Sequence, residues 1–198
     1  RNRAIQRTSG KYLAFIDSDD YYPSSDSLEK LYSAALKNHA AVCGGSFGTD
    51  INGKLKTTFG GVESFYTIRT EGFHDFSELA SDYGWIRFIY RRDVFDDKSV
   101  RFPELEWYED PVFLCNVMEH YPRFYGITDV TYMYRYNIEK NEWTAPKVRD
   151  LLRGIEHNLD FASRHNEHNG LYSVIVSKIN WDYCDAIASH LTDPEVLT

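Results

Sequence analysis

Three carboxylates fall within four residues at Asp17, Asp19 and Asp20, at the end of the apolar run Lys11 to Asp17 (KYLAFID). Acids packed this closely repel one another, and a divalent cation relieves the repulsion. Hard oxygen donors favour Mg²⁺ or Mn²⁺, an ion that commonly bridges to substrate phosphates. A solvated turn, with Asp19 or Asp20 bonded to the local backbone, accounts for the same residues. The acids alone leave both readings open. A second cluster is Trp107-Tyr108-Glu109-Asp110-Pro111. Asp110 before a proline is expected to cap a helix, with Pro111 in its first turn. A capping carboxylate can also face a cleft and accept a proton there. Trp107 and Tyr108 suit either a core or stacking on the apolar face of a sugar ring.

These groups need elements to hold them. Lys11 to Asp17 reads as a buried strand, and ligands of α/β sheets sit at the carboxyl ends of strands. Asp26 and Glu29 form a capping-box-like pair, and Leu28, Leu31, Tyr32 and Ala35 follow at helical spacing, which predicts a helix over Asp26 to Lys37. Ala40 to Phe47 reads as a strand. Asn52-Gly53 is a hairpin signal, with Lys54 to Phe59 as the return strand. Asp75 to Tyr83 reads as helical and Trp85 to Tyr90 as extended. Phe113, Leu114, Val117 and Met118 give the helix after Asp110 its apolar face. Phe124 to Tyr136 reads as a strand. Beyond Pro146, Val148 to Leu159 and Leu171 to Leu191 each predict a helix. The pattern divides into a mixed α/β body over 1–141 and a C-terminal helical extension over 142–198.

Composition narrows the function classes. The chain of 198 residues is 42% hydrophobic and 16% aromatic, enough for a packed core. A net charge of -8 argues against a nucleic-acid partner, which selects a basic face. Cys43, Cys115 and Cys184 are far apart and form no CxxC pair, so neither a zinc site nor a disulfide framework is expected, and a reducing compartment fits. No run approaches the ~20 apolar residues of a membrane span, and no signal peptide is visible.

Four segments, in order, carry a resemblance. They are Arg1-Asn2-x-Ala4; Gly10-x-Tyr12 with Phe15-Ile16-Asp17-Ser18-Asp19-Asp20; Arg101-Phe102-Pro103 with Glu109-Asp110-x-x-Phe113; and Tyr132-x-Tyr134-Arg135. Over roughly residues 1 to 137 the chain resembles the inverting family 2 glycosyltransferases of the GT-A type. Ala4 stands where glycine is commoner in that family. The resemblance implies a Rossmann-like three-layer α/β sandwich, present here as its metal, acceptor and base half. The family's opening half, which reads the nucleotide base, is expected upstream of Arg1. It implies a UDP- or GDP-sugar donor, a saccharide or glycoconjugate acceptor, and Mn²⁺ or Mg²⁺ on Asp17 and Asp19, with Arg1 also on the donor side. Asp110 would be the catalytic base, and Glu109 and Trp107 would lie on the acceptor side. A histidine ligand common in the family has no motif here; His120, His157, His165, His168 and His190 remain unassigned.

The resemblance also implies polysaccharide or glycoconjugate assembly in the cytoplasm, with peripheral association at the inner face of the membrane. If the strand at Lys11 to Asp17 lacks a sheet neighbour, its free edge favours self-association. Two other readings compete. One is a non-catalytic acceptor-binding or assembly module. The other is an aspartyl-phosphate phosphatase, which Tyr21 and the helical setting of Glu109-Asp110 disfavour.

Overall fold

Side chains alternate across a strand, so one sheet can serve two cores. Among the described residues the sheet has six strands: β1 (Tyr12–Ala14), β2 (Val42–Ile51), β3 (Lys54–Lys56), β4 (Gly72–Asp75), β5 (Phe88–Arg91) and β6 (Arg123–Arg135), of which β3 is exposed. The computed structural model describes residues 1–136 and 142–196. Val42, Phe47, Phe88, Tyr90, Phe124 and Tyr132 enter a large core on one face. Cys43, Ile89, Tyr125 and Ile127 enter a smaller core on the other. Leu31 and Ala35 of α2 (Ser27–Lys37) close the smaller core. The large core is shared by α1 (Asn2–Arg7), α3 (Glu109–His120), α4 (Ala145–Arg164) and α5 (Asn169–Trp181). The expected α/β layering is therefore present, and a shorter helix, α6 (Cys184–His190), follows.

The strand order is β1-β5-β2-β6-β4, with β3 paired to β2. Only β2 and β6 run parallel; the other pairs are antiparallel. β6 spans 13 residues and pairs with β2 from Cys43↔Tyr125 to Asp50↔Arg135. β1 pairs with β5 alone and forms one end of the sheet.

Several elements differ from their sequence expectation. The first strand is only Tyr12–Ala14, because Phe15 to Tyr22 leaves β5 and is held by β6 instead. Asp26 precedes α2 but makes no cap bond; its carboxylate lies 3.3 Å from Lys30 Nζ. The hairpin forms at Asn52-Gly53, where φ values of 52° and 81° need the residues that tolerate a left-handed backbone, but β3 ends at Lys56. The helix expected over Asp75 to Tyr83 shrinks to a 3-10 turn, Phe76–Leu79, stopped by left-handed Ala80 at φ 46°. Trp85–Arg87 is a 3-10 turn, and pairing starts only at Phe88. The last expected helix is two, α5 and α6, because the chain turns at Asp182 to send Tyr183 into the core. The expected boundary at 141/142 touches residues outside the described set. The helices beyond it share the large core with the sheet.

The turn at Ala80 leads into Asp82, whose carboxylate is fully buried. Lys178 Nζ lies 2.5 Å from Oδ1, while Tyr108 Oη (2.6 Å) and Asn158 Nδ2 (3.0 Å) donate to Oδ2. Burial alone would raise the Asp82 pKa; Lys178 and these donors outweigh it and hold it low. The Lys178 ammonium also sits 3.3 Å from the centre of the Tyr83 ring. One buried anion thus joins the Ala80 turn, the start of α3, the middle of α4 and α5. Removing one partner of such a pair leaves a charge stranded in the core, at a cost of about 3–5 kcal/mol. Lys178→Met should lower the urea-unfolding free energy by that order at pH 7. Adding Asp82→Asn should restore much of the loss; an equal loss in both variants would show that packing, not charge, is what Lys178 supplies.

Candidate active site

A cleft of about 790 Å³ opens where the ends of β2 and β6 face the start of α3. Asp17, Trp107, Glu109 and Asp110, all singled out from the sequence, line it. Asp17 follows β1 by three residues and is half-exposed, while Asp19 is exposed on the turn beyond. Asp20 points the other way. It is buried, and its carboxylate accepts bonds from Tyr132 Oη at 2.6 Å and the Arg135 N–H at 2.8 Å. Burial pushes its pKa up against the pull of those bonds. Reciprocal backbone bonds between Tyr21 and Met133 fasten the turn to β6 a second time. Asp20 thus anchors the loop to β6, while Asp17 turns toward the cleft and Asp19 stays on the exposed turn.

Glu109 and Asp110 open α3, but Asp110 is not its cap. The cap position belongs to Tyr108, in the left-handed region at φ 70°, and Asp110 is the second helical residue. Tyr108 can hold that backbone because its side chain is fixed at both ends. Its hydroxyl is bound to Asp82, and its ring lies on α4 at Gly154, where an added Cβ would come within 2.8 Å of ring carbon Cδ1. A helix-interior glycine costs about 1 kcal/mol relative to alanine, so Gly154 marks a place where close approach decides. The cap expectation failed because sequence spacing does not reveal a left-handed tyrosine held by tertiary contacts.

Trp85 is buried, and its indole N–H requires an acceptor; it donates to Asp110 Oδ2 at 3.0 Å. Arg1 completes the arrangement. Its guanidinium donates to Glu109 and lies 3.3 Å from Asp17 Oδ1, with its carbon 4.9 Å from the centre of the Trp85 ring. Burial alone would lower the Arg1 pKa, but Asp17 and Glu109 raise it. One cation therefore ties the turn after β1 to the first residue of α3. Burial, reinforced by the charge of Glu109, pushes the Asp110 carboxyl up to about 7, against the opposing effects of Arg1 and the Trp85 bond. A carboxylate in this range can exchange a proton near neutral pH.

Trp107 is half-buried and meets Trp143 edge-on at 5.0 Å. Among the described residues, no three His, Cys, Asp or Glu side chains gather into a metal-binding group. His120 bonds Ser99 and His165 bonds Glu119. The donor set that remains, Asp17 with Asp19, still fits Mg²⁺ or Mn²⁺, which is often held by one or two carboxylates plus substrate phosphates. Sequence reasoning missed Trp85, Asp82 and Lys178. It found Tyr132 and Arg135 only as a pattern, though their alternation on β6 could have marked Tyr132 and Tyr134 as sharing a face.

A three-layer sheet whose carboxylate turn and helix start meet across one cleft defines a GT-A-type fold. Its likeness to solved structures agrees. The Staphylococcus aureus TarS 1-349 crystal structure in complex with UDP-GlcNAc superposes with a TM-score of 0.68 at 16% identity, over 99% of this chain and 57% of that one. The complex with UDP gives 0.69 at 18%, over 96% and 53%. Residues 1–98 match the family model described as glycosyl transferase family 2. An uncharacterized glycosyltransferase of Haemophilus influenzae is 27% identical over 123 residues, 60% of this chain and 44% of the relative. The uncharacterized glycosyltransferase EpsJ of Bacillus subtilis is 25% identical over 143 residues, 69% and 41%. The match to glycosyltransferase family 2 thus lies in residues 1–98, and the likeness in fold extends over the rest of the chain. The chain spans less than half the length of these two curated relatives.

The raised Asp110 pKa has a sign for stability. The folded state holds this proton more tightly than the unfolded chain, whose aspartate titrates near 3.9. The associated stability is full below about 4 and is lost as pH rises through about 7. Asparagine stays neutral and can still accept the Trp85 bond. Melting curves from pH 4.5 to 8.5 should therefore show Asp110→Asn gaining on the wild type as pH rises and levelling off above 7. A pH-independent difference would mean that Asp110 titrates like an exposed aspartate.

Proposed function

We propose that the protein transfers a sugar from a nucleotide-diphosphate donor to a saccharide or glycoconjugate acceptor, with inversion at the anomeric carbon. The observation that carries this reading is geometric: Asp110 lines the cleft at the start of α3, fixed by the Trp85 N–H, and its neighbour Glu109 is tied through Arg1 to Asp17. The acceptor hydroxyl oxygen attacks the anomeric carbon as its proton passes to the Asp110 carboxylate. The bond from that carbon to the diphosphate oxygen breaks, and the nucleoside diphosphate departs. A single displacement of this kind inverts the centre. Trp85 holds Asp110 in place by its N–H bond. Glu109, paired with Arg1, raises the affinity of Asp110 for the proton.

Asp17 and Asp19 would hold Mg²⁺ or Mn²⁺, which when bound supplies Lewis-acid stabilisation to the leaving diphosphate. Arg1 stands beside Asp17 and adds positive charge on that side. TarS, the structural neighbour, was crystallised with UDP-GlcNAc and with UDP; a uridine nucleotide sugar is accordingly the first donor to test. We place the reaction in the cytoplasm, where no bond depends on oxidised cysteines: Cys43 and Cys115 are buried free thiols. Peripheral membrane association is part of the proposal. Among the described residues, no helix is long and apolar enough to cross a membrane. The match to family 2 argues against the phosphatase reading, and the non-catalytic reading is what the following experiments would favour if they fail.

In the full-length protein, Asp110→Asn should reduce turnover by about 10²–10⁴-fold, the range a general base contributes, with donor affinity nearly unchanged. Steady-state kinetics and donor titration separate the two effects; near-wild-type turnover would move the base elsewhere. Calorimetric titration with Mn²⁺ in the presence of UDP should show binding that Asp19→Ala removes. An unchanged response would take Asp19 out of the ligand set.

A further inference from the structure

Two features of the cleft are unexplained by the chemistry above. The first is aromatic surface left in solvent. Phe47, Thr49 and Ile51 alternate along β2, and Tyr132, Tyr134 and Tyr136 alternate along and just past β6, with Thr49 registered against Tyr134. The inner members of these rows are consumed by packing: Phe47 stacks on Tyr132 at 5.7 Å and on Tyr66 at 4.7 Å. The outer members are less so, Tyr134 touching Phe47 with one face at 6.0 Å. Tyr134 is 39% exposed and Tyr136 50% exposed, edge to face at 6.0 Å, on the cleft wall. Large rings left in solvent along a concave wall mark a surface that a ligand covers.

The second feature is charge. Among the described residues, the cleft is lined by five carboxyl side chains and a single ammonium group, Lys56. That ammonium lies 2.6 Å from Glu63 and 4.5 Å from the centre of the Phe59 ring, so its charge is already spent. Arg1 is likewise committed, to Asp17 and Glu109. Glu63 and Glu106 stand exposed at the rim. An anionic acceptor would meet a carboxylate rim with no unpaired cation among these lining groups, and like-charge contact disfavours binding.

Building on the transferase reading, we propose that the acceptor is an uncharged glycan, with its pyranose faces laid on Tyr134 and Tyr136, and that Glu106, on a rim whose ammonium is paired with Glu63, excludes phosphate- or carboxylate-bearing glycans. The tyrosines provide attraction without charge, and Glu106 provides the penalty that makes the choice selective. Tyr134 and Tyr136 thereby have a use that packing does not give them.

Titrations of the full-length protein with soluble oligosaccharides, followed by tryptophan fluorescence and calorimetry, test this. The ligands are neutral hexose and N-acetylhexosamine oligomers, and matched oligomers carrying phosphate or uronate groups. The expected result is binding of neutral oligomers with an affinity indifferent to salt, weakened by Tyr136→Ala, and little binding of the anionic set. Glu106→Gln, which leaves the Lys56–Glu63 pair intact, should gain several-fold in affinity for the anionic set alone. Preference for anionic oligomers, with affinity falling as salt rises, would overturn the proposal. So would the absence of binding by every oligomer. Donor binding is measured separately by UDP-sugar titration. Its persistence in either case leaves the transferase reading standing, whereas its loss together with an inert Asp110→Asn variant removes that reading instead.

Discussion

A carboxylate sealed from water must be neutralised on the spot, and much of this molecule is arranged to do that for Asp82. Its counter-charge comes from α5, one hydrogen bond from α4, and another from the residue that begins α3. Because the bonds are directional, the three helices cannot slide independently. The start of α3, with Glu109 and Asp110, inherits its position from them. The C-terminal helices are therefore part of what orients the Glu109-Asp110 side of the cleft.

The other side of the cleft is fixed by a second buried carboxylate. Asp20 is held by Tyr132 and by the backbone of Arg135, which fastens the acidic turn to the longest strand. Two aspartates of the same cluster thus have opposite fates. Asp20 is consumed by structure, whereas Asp17 lines the cleft and pairs with Arg1. Arg1 then spans the gap between the two fixed sides. These anchors fix the acidic turn and the start of α3 relative to one another, and fixed charges are the condition under which electrostatic stabilisation is most effective.

Much of this was legible in the sequence. The apolar run before Asp17 and the spacing of Leu31 and Ala35 reflect local period alone, and both elements formed. Asp17, Glu109-Asp110 and Trp107 came together in one cleft because they are short-range motifs at element ends, whereas Asp19 and Asp20 of the same acidic turn do not line it. What was not legible depended on distance. Nothing near Asp110 in sequence announces that Tyr108 takes the left-handed cap, since the reason lies at Asp82 and Gly154. Nothing near Leu171 to Leu191 announces the break at Asp182, since Tyr183 turns inward to meet Tyr83. The strand expected to reach Asp17 stopped at Ala14 because β6 competes for the following residues. In each case local propensity was overridden by a buried polar group that required a partner from elsewhere.

The 96 positions between Asp82 and Lys178 also set an order of events during synthesis. At about 5–20 residues per second on the ribosome, Lys178 emerges roughly 5–20 seconds after Asp82. All six strands lie before that point in the chain, so the sheet and its acidic turn can assemble while Asp82 is still hydrated. The mouth of α3 cannot take its final form until the lysine arrives. A nascent chain passes through a stage with the acidic turn built and the Glu109-Asp110 side of the cleft open. A polypeptide released early would be left in that state, with a formed sheet and no fixed start to α3.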